Sequence, residues 1–501
     1  MTLEQLYVVM LAGGGVLLAG IGAARAATRL GLPSLLLFLA LGVAIGEDGL
    51  GVRFDDAQLA QNLGTAALAV ILVEGGLTTR WADVRPVLGP ATVLASLGVA
   101  ISVGVVAVAG HVLLGLDWQL ALLLGAIVSS TDAAAVFSVL RSLPVPRRIA
   151  GLLEAESGFN DAPTVILVLL FSSATLQDTS PLAVAVDLLY QLAVGAVTGL
   201  ALGWAGAAGL RRIALPSAGL YPLAAFGTGI VAFAAAGATG ASGFVAAYLA
   251  ALVLGNAQLP HRSATSSFAE GLGWLAQIAL FVLLGLLITP SDLPAQIIPA
   301  LLVGSVLLLL ARPLSVLVAL LPFRVPLRHH LFVSWAGLRG AVPIVLATFP
   351  IVDGVPGSDQ ILDIVFVAVV VFTLVQGPSL PALARALGLT PPGSAHELQV
   401  DAAPLDHINA ELLTLTVPPL SRLHGVAVFE LRLPAPTVIS LVVRGGEAFV
   451  PQHDTGLRSG DELLVVTTAP VRENTERRLR AVSRRGRLAR WFGEHGHPDP
   501  A

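Results

Sequence analysis

The sequence predicts an all-α polytopic membrane protein that carries a small cytosolic α+β domain at its C-terminal end. Its 501 residues are 55% hydrophobic and only 12% charged, with a mean hydropathy of +0.84. Soluble domains carry about 25% charged residues, so this composition excludes a soluble enzyme and a disordered chain. The net charge of −4 argues against nucleic acid as a partner, and the absence of cysteine excludes disulfides and thiolate metal sites.

Thirteen apolar runs account for most of the chain. A helix needs about 20 apolar residues to cross a bilayer, and backbone groups in lipid need internal partners, so we predict membrane helices throughout. The first run has no basic segment before it and is therefore interpreted as a span, not as a cleaved signal. The predicted spans lie near residues 5–24, 31–46, 61–78, 87–114, 117–139, 149–175, 182–210, 218–237, 242–258, 268–288, 295–322, 331–351 and 360–386.

Arginine placement predicts the orientation of these spans. Twelve arginines follow the odd-numbered spans, whereas the alternate loops hold only Arg53 together with several acidic residues. Because loops on the cytosolic side are enriched in basic residues, the N-terminus is predicted outside and everything after span thirteen in the cytosol. The predicted location is the cell (inner or plasma) membrane.

Two interruptions mark matched positions of the predicted spans. Thirteen spans divide into six, one and six, and the two six-helix halves would have inverted topology, as in many secondary transporters. Span five is interrupted by Ser-Ser-Thr-Asp at 129–132, and its counterpart, span twelve, by Gly-Leu-Arg-Gly-Ala-Val-Pro at 337–343. Broken helices expose carbonyls and helix dipoles that can bind a cation in the membrane. We therefore predict a site at these two breaks.

Span six carries the richest set of polar residues. Ser157 and Asp161 are four residues apart and share a helix face, and Glu156 and Asn160 share the adjacent one. Ionisable residues inside a membrane are costly and are candidates for function. Carboxylate, hydroxyl and amide oxygens are hard ligands that suit Na⁺ or K⁺, and a carboxylate can also take a proton. Asp161 therefore has the minimum chemistry for cation and proton exchange.

Other charges also lie inside predicted spans. Glu74 is in span three, Asp132 in span five and Arg339 in span twelve. Arg339 needs a buried counter-charge, and we predict a structural ion pair with Glu156, with Glu154 as the alternative partner. Arg312 in span eleven is a second intramembrane arginine, and the sequence assigns it no partner.

The three motifs resemble those of the monovalent cation:proton antiporter family, in its sodium/proton antiporter-like branch. The segment 129–137 resembles the family's first broken helix, the pair Asn160-Asp161 its Asn-Asp signature, and 337–343 its late broken helix. Many members have proline where this chain has Ala133, and the Ala-Ala-Ala form resembles the bacterial potassium/proton antiporter subgroup. The resemblance covers about residues 5–390.

The resemblance implies roles for individual residues. Asp161 would be the carboxylate shared by cation and proton, and a monovalent cation would bind at Asp161, Ser157 and Thr131. Asp132 would be a ligand or support, and Glu74 would lie beside the ion path. The resemblance also implies a homodimer, an elevator-like movement and no cofactor. The Asn-Asp form, with Asn160, resembles electroneutral members.

The composition changes after residue 390. Pro-Pro-Gly-Ser at 391–394 predicts a linker, strand-like runs lie at 412–417, 437–444 and 462–468, and Gly445-Gly446 is a hairpin signal. The segment resembles the C-terminal subdomain of potassium-conductance regulator proteins, which implies a small regulatory ligand. No glycine-rich dinucleotide motif is present. We predict a transmembrane domain at 1–390, a regulatory domain at 391–475 and a basic tail at 476–501, which is either an amphipathic helix on lipid or solvated.

An antiporter that exchanges K⁺ for H⁺ without net charge movement is the leading function. A Na⁺(Li⁺)/H⁺ antiporter is the alternative, because both ions use the same oxygens. A potassium channel gated by the C-terminal domain is a weaker alternative, since the chain has no Thr-Val-Gly-Tyr-Gly filter. An intramembrane hydrolase lacks a histidine near Ser157 to act as a base, so we do not predict an enzyme.

Overall fold

The computed structural model describes residues 2–30, 32–132, 145–173, 181–257, 259–389, 400–405, 410–418, 421–486 and 489. The chain divides into two compact units, one up to residue 390 and one from residue 391. Three predicted features lie wholly or partly outside the described residues. These are the part of span five after residue 132, the linker at 391–394, and the basic tail after residue 486 apart from residue 489.

The first unit is helical. Several of its helices begin at a Pro or at a capping side chain such as Asp56, whose carboxylate accepts from the backbone N–H of Leu59. Its elements are α1 (Leu3–Leu30), α2 (Ser34–Ile45), α3 (Ala57–Thr78), α4 (Trp81–Leu114), α5 (Trp118–Ser129), α6 (Arg147–Ser172), α7 (Pro181–Arg212), α8 (Leu220–Ala238), α9 (Gly243–Asn256), α10 (Arg262–Leu286), α11 (Pro290–Phe323), α12 (Leu327–Ala336), α13 (Ala341–Val352) and α14 (Ser358–Ala386).

Among the described residues, eight helices are long and apolar enough to cross a membrane, and the bent pair α12 and α13 makes a ninth. Helices α2, α5 and α9 are shorter and apolar. Predicted span six falls on α6, which belongs to neither of these sets, and the described part of every other predicted span falls on one of these helices or on the bent pair. The chain is thus a mostly helical, multi-pass membrane protein.

Four irregularities interrupt the helices of this unit. Helices α12 and α13 meet at an angle of 54° across a break of four residues, which confirms the interruption predicted in span twelve. Helix α5 ends at Ser129, and residues 130–132 are not helical. Helix α4 contains a π turn at Leu94–Gly98 and α11 another at Leu307–Ala311. Such turns redirect the side chains that follow them, and Arg312 follows the second one directly.

The second unit is a five-stranded antiparallel sheet with one covering helix. Its strands are β1 (Val400–Leu405), β2 (Ala410–Thr416), β3 (Val438–Arg444), β4 (Glu447–Phe449) and β5 (Glu462–Thr468), in the order β1-β2-β5-β3-β4. Gly445 and Gly446 both have positive φ and form the β3–β4 hairpin turn, as the sequence predicts.

Helix α15 (Ala469–Arg485) corrects the predicted boundary at residue 475. Leu479 and Val482 on this helix are buried in the same core as Leu413 and Val465 of the sheet. The apolar side of the helix covers the sheet, and even Arg478 is buried, where its Nε donates to the carbonyl of Leu431 at 2.8 Å. Residues 476–485 therefore pack with the sheet of the second unit and do not form a separate tail.

Candidate ion-binding site

The two interrupted segments cross and are joined by one hydrogen bond between backbone groups and one from a backbone N–H to a side chain. The backbone N–H of Asp132 donates to the carbonyl of Leu338 at 3.0 Å. In return, the backbone N–H of Ala341, the first residue of α13, donates to Oδ2 of Asp132 at 2.8 Å. Gly340 permits this approach, because a Cβ at that position would lie 1.8 Å from the same carboxylate oxygen. The crossing therefore depends on a glycine beside an aspartate.

The side chains at the crossing compensate the charges of the helix ends. The Asp132 carboxylate sits at the N-terminus of α13, where unpaired N–H groups carry partial positive charge. The Arg339 guanidinium donates to the carbonyl of Val128 near the end of α5 at 2.8 Å, and to the carbonyl of Gly337 just after α12. Those carbonyls carry the partial negative charge of two helix C-termini. Each buried charge at the crossing thus faces a helix end of opposite sign.

Asp161 lies beside the crossing on α6. Its Oδ1 accepts a hydrogen bond from the Ser130 hydroxyl at 2.9 Å. The Ser157 hydroxyl lies 2.8 Å from the carbonyl and 3.1 Å from the hydroxyl of Thr131, and Asn160 Nδ2 donates to that hydroxyl at 2.5 Å. All five of these residues are buried. The non-helical segment after α5 is therefore held against the polar face of α6.

Two groups of this cluster have unused ligand capacity. Among the described residues, the Asp161 carboxylate has one side-chain hydrogen bond, from Ser130, and no ion pair. The Oδ1 atom of Asn160 is buried and has no hydrogen-bond partner in the described structure. Both are hard oxygens, and a buried polar oxygen without a partner is costly. The arrangement can hold a small cation or a proton.

The structure brings most of the predicted site residues together. Thr131, Ser157, Asn160 and Asp161 form the cluster, and Asp132 is at the adjoining crossing. Glu74 is half-buried on α3, where it packs against Gly273 of α10; a Cβ at Gly273 would lie 2.8 Å from Cγ of Glu74.

The predicted Arg339–Glu156 ion pair is wrong. Glu156 pairs with Arg312 instead, through two hydrogen bonds, one of them from Nη2 to Oε2 at 2.7 Å. The side chains of both residues are about 95% or more buried. Arg312 reaches Glu156 past Gly337, where a Cβ would lie 2.7 Å from its Nε. Arg339 needs no carboxylate there, because helix-end carbonyls accept its hydrogen bonds.

The sequence does not reveal the contacts of two residues in this region. Ser130, the hydrogen-bond donor to Asp161, belongs to the break motif, but nothing in the spacing separates it from Ser129. Arg312 is recognisable as an intramembrane arginine, but its partner is not. Its signal was a buried charge before Pro313 in an otherwise apolar span, which indicates a counter-charge but not its position.

Gly340→Ala tests the crossing. The added methyl group would displace the Asp132 carboxylate from the N–H of Ala341, so we expect a loss of about 1–3 kcal/mol of stability and a large loss of ion transport. Gly271→Ala on α10 is the matched control, because a Cβ there meets nothing within 4 Å and alanine favours a helix. Thermal inactivation in detergent and transport in vesicles would measure both. If Gly340→Ala and Gly271→Ala are equally stable and transport ions equally fast, the close contact between Gly340 and Asp132 is contradicted.

Comparison with known proteins matches each of the two units to a different family or domain. The family described as "Sodium/hydrogen exchanger, transmembrane" matches residues 15–386, and the TrkA-C domain matches residues 412–480. The chain is similar to the K⁺/H⁺ antiporter NhaP of Alkalimonas amylolytica, with 37% identity over 471 residues, 93% of this chain and 82% of that protein.

Two further relatives extend the comparison. The K⁺/H⁺ antiporter NhaP2 of Shewanella sp. (strain ANA-3) is 37% identical over 467 residues, which cover 90% of this chain and 80% of that protein. The solved structure of the sodium proton antiporter MjNhaP1 from Methanocaldococcus jannaschii at pH 8 is 25% identical, with a TM-score of 0.66. The match covers 76% of this chain and 99% of that one.

Proposed function

Because the chain belongs to the sodium/hydrogen exchanger family and carries a TrkA-C domain, we propose that it exchanges potassium ions for protons across the cell membrane. The observation that carries this proposal is the state of Asp161. It is a buried carboxylate whose described partner is a neutral hydroxyl. A buried carboxylate without a cationic partner is costly, and binding either a proton or a metal cation removes that cost.

The ligands proposed for the cation surround this carboxylate. Asp161, Ser157 and Thr131 supply carboxylate, hydroxyl and carbonyl oxygens, and Asn160 adds its unpartnered Oδ1. Asn160 is oriented by its Nδ2, which donates to the Thr131 hydroxyl, so the amide oxygen is the free end. A proton on Asp161 would replace the cation, because either one neutralises the same carboxylate. Glu74 is proposed to lie beside the ion path.

We propose that exchange is electroneutral. The position next to Asp161 is a neutral amide, Asn160, and the nearby Asp132 is already engaged by the N-terminus of α13. One carboxylate then carries the exchange, and its loaded state is neutral with either ion. A site that crosses the membrane in this state moves no net charge.

Potassium is favoured over sodium by the named relatives. The two relatives at 37% identity that span most of this chain are named K⁺/H⁺ antiporters. The sodium alternative is supported by the solved sodium proton antiporter at 25% identity. The ligand oxygens do not separate the two ions, since both are hard cations. A channel is disfavoured because these relatives are named antiporters.

The finer architecture is also part of this proposal. We propose thirteen spans with inverted six-helix repeats, with the N-terminus outside and the C-terminal domain in the cytosol. The two π turns support the repeat, because α4 and α11 occupy corresponding places in the two halves. We propose a homodimer without a cofactor, with residues 391–485 as a regulatory domain for a small ligand.

Ion exchange in proteoliposomes tests the function. Addition of K⁺ should move protons, the apparent K⁺ affinity should fall about tenfold per pH unit where the site is mainly protonated, and Na⁺ and Li⁺ should act more weakly. An imposed potential should leave the rate unchanged, whereas one net charge moved would add about 2.3 kcal/mol per 100 mV. The potential should be set without a potassium ionophore. A rate that follows the potential would refute electroneutral exchange, and K⁺ flux without proton movement would indicate a channel.

A further inference from the structure

A cavity of about 380 Å³ lies between α6 and α13 on one side and α3, α7, α8 and α9 on the other. Gln61, Asn62 and Thr65 of α3 and Gln191 of α7 are its polar lining residues from those helices. At about 30 Å³ per molecule, a space of this size holds on the order of ten waters. It is therefore large enough for a cation that still carries part of its hydration shell.

The cavity lies at the arginine-poor side of the membrane unit. Its lining residues on these four helices come from the N-terminal halves of α3 and α7 and from the C-terminal halves of α6 and α13, which lie side by side because the helices are antiparallel. The arginines of α6 and α7 lie at the other ends, at 147–148 and 211–212. In the proposed orientation the cavity is on the outer face.

One wall of the cavity continues the face of α6 that carries Asp161. Val165 and Leu169 line the cavity and follow Asp161 by four and eight residues, so all three share a helix face. At 1.5 Å per residue they lie about 6 and 12 Å further along the axis. Asp161 itself is buried. Beside Thr65, Gly64 packs tightly on Val345 of α13, with a Cβ position 3.0 Å from that side chain. The cavity thus approaches the site and is closed off from it by close helix packing.

The polar lining consists of neutral oxygens and nitrogens. Gln58 Nε2 donates to Oε1 of Gln61 at 3.0 Å and lies 3.3 Å from Oδ1 of Asn62, so one amide group orients both oxygens. On the opposite wall, Gln191 donates its Nε2 to Asp187 at 2.8 Å, which leaves its amide oxygen as an acceptor. Such oxygens can replace water around an alkali cation, while the absence of a carboxylate among the cavity's described lining residues keeps the binding weak.

We propose that this cavity is an outer subsite, in which a monovalent cation exchanges part of its water for amide and hydroxyl oxygens before it reaches Asp161. The inference rests on the proposed antiport function and deepens it, because it adds a second, weaker position for the same ion. Weak binding suits such a position, since an ion must also leave it.

Cysteine chemistry tests the subsite directly, because the chain has no cysteine. Thr65→Cys places a thiol on the cavity wall, and Ala66→Cys is the matched control on the exposed side of the same helix. Both variants, in oriented vesicles, would be treated with a cationic and an anionic methanethiosulfonate reagent of similar size. The readouts are the rate of labelling by mass spectrometry and the rate of K⁺/H⁺ exchange before and after labelling.

We expect the Thr65→Cys thiol to react with the cationic reagent about tenfold faster than with the anionic one, because the amide and hydroxyl oxygens of the wall present the negative ends of their dipoles. Potassium should slow that reaction, labelling should block exchange, and only the arginine-poor side should be accessible. Ala66→Cys should show neither the charge preference nor the potassium effect. Gln61→Cys repeats the test if Thr65→Cys folds poorly.

Equal rates with both reagents and no effect of K⁺ would overturn the subsite, even if the unlabelled variant exchanges normally. If the unlabelled variants and the unchanged chain fail to exchange K⁺ for H⁺, the proposed function fails instead. The labelling rates would still report on the cavity, so the two failures are distinguishable.

Discussion

Asp161→Asn is expected to abolish cation-dependent proton movement while the protein still folds and inserts. The variant keeps the shape of the side chain, and its amide oxygen can still accept the hydrogen bond from Ser130. It removes the negative charge that both the cation and the proton need. We expect the exchange rate to fall at least about a hundredfold, which corresponds to roughly 2.7 kcal/mol.

Controls separate this loss from general damage. Asp359→Asn changes an exposed aspartate at the start of α14 in the same way and should leave exchange intact. Asp161→Glu retains the charge with one more methylene and should retain partial activity. Exchange in proteoliposomes measures activity, and thermal inactivation in detergent measures stability. Full exchange by Asp161→Asn would remove this residue from the transport cycle.

Arg312→Ala is expected to be strongly destabilising, with its largest effect on folding yield and thermal stability. The substitution leaves Glu156 as a buried carboxylate without its partner, which costs about 3–5 kcal/mol. Cation affinity in the surviving protein should change little, because the Arg312–Glu156 pair is separate from the hydrogen bonds around Asp161. Thermal inactivation should therefore occur at a lower temperature, whereas the apparent K⁺ affinity should stay nearly the same.

A double variant makes this test sharper. Arg312→Met combined with Glu156→Leu removes both charges and should recover much of the lost stability, since a buried pair is often replaceable by apolar side chains. Arg328→Ala, which removes an exposed arginine from the start of α12, is the matched control and should have little effect. A stable Arg312→Ala protein with altered cation affinity would instead place this arginine in the ion site.

The helical fold could be predicted because membrane spans are long and apolar, and because arginines are concentrated in every second loop. Each predicted span falls on an observed helix or on the bent pair for this reason. The C-terminal extent of the folded second unit was harder to predict. Six arginines on α15 indicate a solvated or lipid-bound tail, and only the packed sheet shows that Leu479 and Val482 cover a core. In such a helix the many arginines dominate the composition, so the few apolar residues that pack on the sheet are easily overlooked.

The side chains around Asp161 could be predicted from spacing on one helix, because Ser157 and Asp161 share a face of α6. The partner of Glu156 could not be predicted, since two arginines were available on different spans. The choice depends on the π turn before Arg312 and on the space at Gly337. A sequence also does not show that carbonyl oxygens at helix ends can replace a carboxylate as the partner of a buried arginine.

The crossing of the two interrupted segments has a consequence for biosynthesis. The segment 130–132 is held by Leu338 and Ala341, which the ribosome adds long after α6 has been made. A nascent chain that ends before residue 341 therefore contains Asp161 but lacks the contacts that fix Asp132. The candidate site is therefore completed only when the segment that contains Leu338 and Ala341 is in place. Under the proposed antiport function, a partly synthesised chain would enter an energised membrane before it has a complete path for protons.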